Sequence, residues 1–352
     1  MKKICFVMDS LSFVPTGGAK MIFEYANRLQ NKGYSVQILY LMGSSWKKYH
    51  LPEKLRQWML SRMTCFSPSW FPQDKKIETL SYYQADLDER VKDTDVFIAT
   101  EVTTVESIKE RFSEKKLAYF IQGYENWRVS DEYCQSTYKY EMTNIVVSQW
   151  LKNIVDQYSR KPSILVRNPV DIHVYRLNTP IKERKLHTIG LLYHEMPYKG
   201  LQYSMKAVYR LKEKYLDLEV YMFGVPKRPK EYPEWIHYTQ KATQTQTVEI
   251  YNKVSVWLCA TIDEGYGLTG LEAMACGDVL VSTRYTGVLE YAQDEKNALL
   301  SAVKDVEKLV HNVERVFEDQ KLRESLVLEA QKSVVKFSWE KAVADFEKAL
   351  EI

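Results

Sequence analysis

No two cysteines in this sequence stand close enough to form a Cys-x-x-Cys pair: the five are Cys5, Cys65, Cys134, Cys259 and Cys276. An odd, scattered set excludes a disulfide framework and a zinc ribbon, and reads as buried thiols in a reducing compartment. Long apolar runs are missing too. The run Ile4–Met8 is too short for a signal peptide and Asp9 ends it. No stretch approaches the roughly 20 apolar residues that a membrane helix needs. A cytoplasmic, soluble protein is therefore expected. Charge of one sign is also absent, since Lys+Arg 49 against Asp+Glu 46 leaves a net +3. A balance so near neutral does not advertise a nucleic-acid partner. What is present is 352 residues with 45% hydrophobic and 27% charged content. That is the mix of a globular protein, at a length that suggests two domains and room for a deep cleft.

Short β-branched runs alternate with amphipathic helical segments, the pattern of parallel α/β layers. Ile4–Met8 reads as a strand buried on both faces. A turn from Pro15 to Gly18 follows, then a helix from about Ala19 to Gln30 with Ile22, Tyr25, Ala26 and Leu29 on one face. Gly33 ends that helix and Ser35–Leu41 is the next strand. Val96–Thr100, Leu117–Gln122, Ile145–Val147 and Ile164–Val166 continue the sheet. Arg167-Asn168-Pro169 breaks the pattern, and Thr179-Pro180 with the charged run Lys182–Lys185 reads as a linker. The cycle then restarts with strands at Thr188–Leu192, Glu219–Phe223, Val256–Cys259 and Val279–Ser282, and helices at Leu201–Lys214 and Leu268–Cys276. Lys304–Lys336 is mostly helical, and Ser338 caps a last helix, Trp339–Leu350. Two successive sets without a repeat between them predict two doubly wound domains facing an interdomain cleft. In such sheets ligands bind outside the carboxyl ends of the strands.

The most informative stretch runs from Asp263 to Gly277. It follows a strand, holds three glycines in a turn and opens a helix, whose N-terminal N–H groups and dipole favour a phosphate. Glu264 lies in the turn and Glu272 about one turn into the helix, placed so that one can reach a sugar and the other a ribose diol. Read alone, the same stretch is also a core helix with Glu272 a solvated acid. Gly265-Tyr266-Gly267-Leu268-Thr269-Gly270 matches the dinucleotide fingerprint GxGxxG literally. Three points discount a nicotinamide site: the strand ends near Ala260, Glu264 would sit against the pyrophosphate, and the next strand leads to Thr283-Arg284 with no acid for a ribose.

The segment Glu264–Gly277 resembles the E-x7-E region of GT-B-fold glycosyltransferases, the large retaining group often called family 4. The resemblance extends over most of the chain. Gly17-Gly18 is similar to the family's Gly-Gly loop, Asn168-Pro169-Val170-Asp171 to its interdomain segment, and Lys199-Gly200 to the lysine opening the first donor-domain helix. Thr286-Gly287-Val288-Leu289-Glu290 resembles its Gly-Gly-x-Pro-Glu turn, and Phe337-Ser338-Trp339 its closing helix. The resemblance implies an acceptor-binding domain over residues 1–170 and a nucleotide-sugar donor domain over 171–336. It also implies that the helix 337–352 packs back on the first domain.

Carried over residue by residue, it makes Glu272 the ribose ligand and Glu264 the residue beside the donor sugar. Lys199 becomes the cation on the diphosphate. Gly265, Tyr266, Gly267, Leu268 and Thr269 form the turn that helps to hold the donor, and Gly17 and Gly18 let backbone approach the donor or the acceptor. Two departures matter. No arginine stands in Gly190-Leu191-Leu192-Tyr193-His194, where the family usually has one, so Lys199 works alone or with His194. Where the family often has a histidine near the acceptor, this chain reads Gln122-Gly123-Tyr124-Glu125-Asn126-Trp127. That Gln-x-Tyr-Glu pattern resembles bacterial enzymes that build rhamnose-containing or related surface polysaccharides, and Glu125 then orients or deprotonates an acceptor hydroxyl. The other reading of Glu125 is a salt-bridge partner.

The segment 44–62 carries Lys47, Lys48, Lys54, Arg56 and Arg62 against Glu53, with Trp46, Leu51, Leu55, Trp58 and Met59 as apolar surface. It reads either as a basic amphipathic surface that meets the inner face of a membrane, or as an ordinary helix packed on the sheet. The resemblance thus implies a retaining, metal-independent transfer from a UDP- or TDP-sugar to a glycan or lipid-linked acceptor, with no cofactor. Asp86-Leu87-Asp88 is DxD in letters but lies in a charged helical stretch. Two rivals remain: a sugar-nucleotide epimerase of the same fold, and an inactive nucleotide-sugar-binding subunit that supports a partner transferase.

Overall fold

The structure, a computed structural model, describes residues 2–42, 52, 54–55, 58–59 and 67–352. The segment 44–62 falls largely outside the described residues, and with it the expected membrane surface. Two compact units divide the chain: Met1–Arg167 together with Ala342–Ile352, and Asn168–Lys341.

In the first unit the described strands are β1 (Lys3–Met8), β2 (Ser35–Tyr40), β3 (Glu78–Ser81), β4 (Val96–Ala99), β5 (Lys116–Ile121), β6 (Thr143–Val146) and β7 (Ile164–Leu165). They form one parallel sheet in the order β3-β2-β1-β4-β5-β6-β7. Helices α1 (Gly17–Asn31), α2 (Leu87–Val91), α3 (Val102–Arg111), α4 (Asp131–Thr137) and α5 (Gln149–Val155) alternate with them. From the second residue on, β1, β2 and β5 are buried along their whole length. Such burial explains why these strands read as continuous apolar runs. The strand order reverses between β1 and β4, a switch point of the kind outside whose carboxyl ends such sheets bind ligands.

Helix α1 begins two residues earlier than its periodicity suggests. Thr16 is the N-cap, its Oγ1 accepting from the Ala19 N–H at 3.3 Å. Gly17 and Gly18 are therefore the first turn of a helix and not a separate tight turn. Strand β3 escaped sequence reading because Glu78-Thr79-Leu80-Ser81 is short and has one apolar residue, Leu80. The last helix, α11 (Trp339–Leu350), has the Ser338 cap, with Oγ accepting from the Lys341 N–H at 3.2 Å. Its residues from Ala342 belong to the first unit. There Phe346 is fully buried, with its ring centroid 4.4 Å from Tyr25, 5.3 Å from Phe120 and 6.2 Å from Phe6.

The second unit repeats the plan in a different sequence. Strands β8 (Thr188–Tyr193), β9 (Glu219–Gly224), β10 (Ile236–Gln240), β11 (Val256–Cys259), β12 (Val279–Thr283) and β13 (Leu299–Ser301) are ordered β10-β9-β8-β11-β12-β13. All paired neighbours are parallel. The helices are α6 (Leu201–Lys214), α7 (Gln244–Lys253), α8 (Leu268–Cys276), α9 (Val306–Glu318) and α10 (Gln320–Val334). The edge strands β10 and β13 carry too few apolar residues in a row to stand out in the sequence. Here the strand order reverses between β8 and β11, the strands that lead to Lys199 and to Glu264. The run Lys182–Lys185 is not a solvated linker throughout, because Arg184 is 7% exposed and its guanidinium is buried against Asp278.

Candidate active site

Lys199 closes a single turn of 3-10 helix, Pro197–Lys199, after β8. That turn is pinned to the loop after β11: Tyr198 O accepts from the Ile262 N–H at 2.7 Å and from the Asp263 N–H at 3.4 Å. Gly200 follows with φ +65°, and a Cβ there would lie 1.8 Å from Ala260 O. Only glycine allows this close approach and this left-handed backbone, so Gly200 is a packing requirement of the turn that carries Lys199. The result is that Lys199 Nζ donates to Glu264 Oε1, with 15% and 25% of the two side chains exposed. Burial alone would lower the lysine, but the charge of Glu264 and its hydrogen bond outweigh it and hold the ammonium above its ordinary value.

Helix α8 starts at Leu268, and its N-cap is Gly267. A glycine has no side chain to give to the first turn, so no side chain caps the leading N–H groups at the positive end of the α8 dipole. At the other end the helix is closed tightly. Gly277 is left-handed, Gln331 Nε2 donates to Met274 O and Ala275 O at 2.7 and 3.0 Å, and Arg184 Nη2 donates to Cys276 O at 2.5 Å. A cation at the C-terminal end and an N-terminal end without a side-chain cap suit an anion beside Leu268 and Thr269, both half-buried. Gly265, Tyr266 and Gly267 are buried beneath the turn.

Glu272 is the fifth residue of α8 and only 8% exposed, so it is not the solvated acid that the sequence left open. Tyr251 of α7 donates its hydroxyl to Glu272 Oε2 at 3.0 Å. A buried carboxylate is costly without such partners. Burial first, and then the charge of Glu272, push the Tyr251 hydroxyl far up, so it remains a donor at any ordinary pH. His194 lies half-buried at the end of β8, and its Nδ1 accepts from the Met196 N–H at 3.1 Å. Burial and the positive charge of Lys199 lower it, which keeps the imidazole neutral near pH 7.

In the first unit, Gly17 is exposed and Gly18 is half-buried against Gln122, whose Nε2 donates to Gly18 O at 3.3 Å. Glu125, after β5, accepts from the Val102 N–H at 2.7 Å through Oε2 and so caps α3. Around it stand Glu101, Asp9 and one cation, Arg128, which pairs with Glu101 and lies 3.4 Å from Asp9. Sequence reading missed this arrangement, although Asp9, Glu101 and Glu125 each follow the carboxyl end of a strand, a recognisable signal. Burial raises Glu125 to about 7, helped by the charges of Glu101 and Asp9 and opposed by the Val102 N–H and Arg128. The DxD letters are plainly solvated: Asp86 and Asp88 are 58% and 81% exposed and pair with Arg90 and Arg111.

Comparison with known proteins bears on the fold. Residues 183–319 match the family described as Glycosyl transferases group 1. An uncharacterised glycosyltransferase, MJ1178 of Methanocaldococcus jannaschii, is 24% identical over 227 residues, which span 61% of this chain and 62% of that relative. A second protein of that organism, the uncharacterised glycosyltransferase MJ1607, is 31% identical over 93 residues, 26% of this chain and 24% of its own. Among solved structures, TarM of S. aureus in complex with Fondaparinux, alpha-GlcNAc-glycerol and UDP superposes with TM-score 0.77 at 11% identity, covering 100% of both chains. HepE of Anabaena in complex with UDP and glucose gives 0.75 at 14% identity, again over 100% of both chains. The fold is therefore GT-B: two Rossmann-like parallel-sheet units, the second of which carries the group 1 match.

Proposed function

We propose that this chain is a glycosyltransferase that moves a sugar from a UDP- or TDP-linked donor to a hydroxyl of a glycan or lipid-linked acceptor, in surface polysaccharide synthesis. The observation that carries the reading is the Lys199–Glu264 contact at the carboxyl ends of β8 and β11, on the turn that opens α8. In this reading the bond from the sugar's anomeric carbon to the diphosphate breaks and a bond to the acceptor oxygen forms, with retained configuration, while the acceptor's hydroxyl proton passes to Glu125. Lys199 and the N-terminus of α8 take up the charge that grows on the departing diphosphate, in place of a metal ion. Glu264 and the turn Gly265–Thr269 hold the donor, with His194 as a neutral neighbour of Lys199. Glu272 holds the ribose diol. Gly17, Gly18 and Glu125 belong to the acceptor side.

Calorimetry tests the donor half. Glu272→Ala should weaken UDP binding by about 1.5–3 kcal/mol, because the diol loses a charged acceptor, and TDP binding less, since its deoxyribose has one hydroxyl fewer. Equal affinity of wild type and variant for UDP removes this assignment. Product analysis with a UDP-sugar and an acceptor separates the rivals. An epimerase would interconvert the donor without an acceptor, and an inactive subunit would bind it unchanged.

Glu125 gives a pH prediction. Its raised value leaves roughly half of it neutral at pH 7, and a proton acceptor works only when ionised. Transfer is therefore expected to climb as pH rises through about 7. Glu125→Gln should keep the oxygen that accepts from the Val102 N–H, keep the fold, and lose that rising limb. A variant with the wild-type profile would leave Glu125 as the cap of α3 and nothing more.

A further inference from the structure

Residues 285–291 follow β12 and form a strap under the donor turn. Its two ends are tyrosines, Tyr285 at 2% and Tyr291 at 4% exposure. The Tyr291 hydroxyl donates to Gly267 O at 2.7 Å. Its one proton is committed there, so the 3.1 Å contact between the two phenols runs with Tyr285 donating to Tyr291. Gly267 has φ +87°, and a Cβ on it would stand 1.9 Å from the Tyr285 oxygen. A Cβ on Gly270 would stand 2.5 Å from the Tyr291 oxygen. The two phenols thus occupy the space that side chains in the first turn of α8 would need.

The middle of the strap holds the other end of the turn. The Gly287 N–H donates to Glu264 O at 3.1 Å, and Thr286 Oγ1 lies 3.4 Å from the same oxygen. A Cβ on Gly287 would come within 2.5 Å of Tyr266 N. One short segment therefore grips the backbone at Glu264 and again at Gly267, across the three glycine and aromatic residues that precede α8. Motif reading found Thr286–Glu290 but not the flanking tyrosines, whose hydroxyls make the contact.

We infer that Tyr285 and Tyr291 are positioning residues that fix the turn Glu264–Thr269 in the shape that receives a diphosphate. The inference rests on reading that turn as the donor site. Both phenols are buried and engaged within the strap and the turn, so their role is to shape the turn. They act through Gly267, which orients the leading N–H groups of α8, and through the strap's hold on Glu264. Loss of the Tyr291 hydroxyl frees Gly267 O and leaves the Tyr285 hydroxyl buried without its acceptor, so the turn relaxes where the diphosphate lands. A displacement of about 1 Å at such a contact is enough to cost about 10²-fold in rate.

The test uses Tyr291→Phe and Tyr285→Phe in the full chain, with UDP and uridine as probes. For Tyr291→Phe, UDP affinity should fall about 5- to 20-fold, the size of one lost oriented contact to a charged group. Uridine, held through Glu272, should change less than about 2-fold, and kcat should fall more than KM rises. Tyr285→Phe keeps the bond to Gly267 and should show the same pattern at smaller size; it also serves if Tyr291→Phe does not fold. Variants that lose thermal stability but bind UDP and uridine in the wild-type ratio would overturn the inference and leave two core tyrosines. Wild-type protein that binds neither UDP nor TDP would instead overturn the reading of the turn as a donor site.

Discussion

Replacing Lys199 by methionine is expected to lower sugar transfer by about 10²–10³-fold, the range for removal of one oriented group from a site of developing charge. Replacing Glu264 by glutamine should also lower transfer, yet it should tighten UDP. The opposite signs follow from the contact itself. Without donor, the Lys199 ammonium is held by Glu264, so an incoming diphosphate must compete with a carboxylate for it. Removing that charge releases a pair worth roughly 1 kcal/mol where both side chains are partly exposed, about fivefold in affinity. The sugar, however, loses the acid placed beside it. Calorimetry with UDP and steady-state kinetics with a UDP-sugar read the two effects separately. A Glu264→Gln protein with weaker UDP binding would show that Glu264 helps to hold the diphosphate side and does not compete for Lys199.

The second large effect lies away from the chemistry. Arg184→Met should destabilise the second unit by about 3–5 kcal/mol, the cost of leaving one buried charge unpaired. Arg184 donates to Asp278 Oδ1 at 2.5 Å, to Tyr251 O and Val254 O at 2.9 and 2.7 Å, and to Cys276 O at 2.5 Å. Both charged groups of the pair are fully buried. One guanidinium therefore closes the C-terminus of α8 and ties it to the end of α7, the helix whose Tyr251 holds Glu272. Urea unfolding, followed by hydrogen exchange of α7 and α8, reads the loss. Adding Asp278→Asn should restore part of it, because the stranded carboxylate is then gone. A double variant less stable than the sum of the singles would place the loss in packing and not in the charge. Arg184→Lys is not a mild change here, since one ammonium cannot make bonds in four directions.

The sequence by itself determined the architecture and the place of the glycine turn that opens α8. Short continuous apolar runs bounded by turn signals and alternating with amphipathic helices fit strands buried on both faces, and glycines between a strand and an apolar helix mark a turn where backbone must approach something closely. Hence β1, β2, β5, β8, β9, β11, β12 and α8 were legible nearly to the residue. Short half-polar strands at or beside a sheet edge, β3, β10 and β13, were not, because their stability comes from the neighbouring strand and not from their own composition. Only the tertiary structure decided which charges are buried and with whom. Arg184 in a charged run and Glu272 on a helix look solvated in one dimension. They are buried because α7, α8 and the chain before β8 close over them, and Tyr251, Asp278 and backbone carbonyls replace the lost water. The same holds for Glu125: its pattern was visible, but the Val102 N–H, Glu101, Asp9 and Arg128 that set its proton affinity come from other strands' ends. Periodicity records which side of an element is apolar; it does not record which polar groups distant segments bring to the other side.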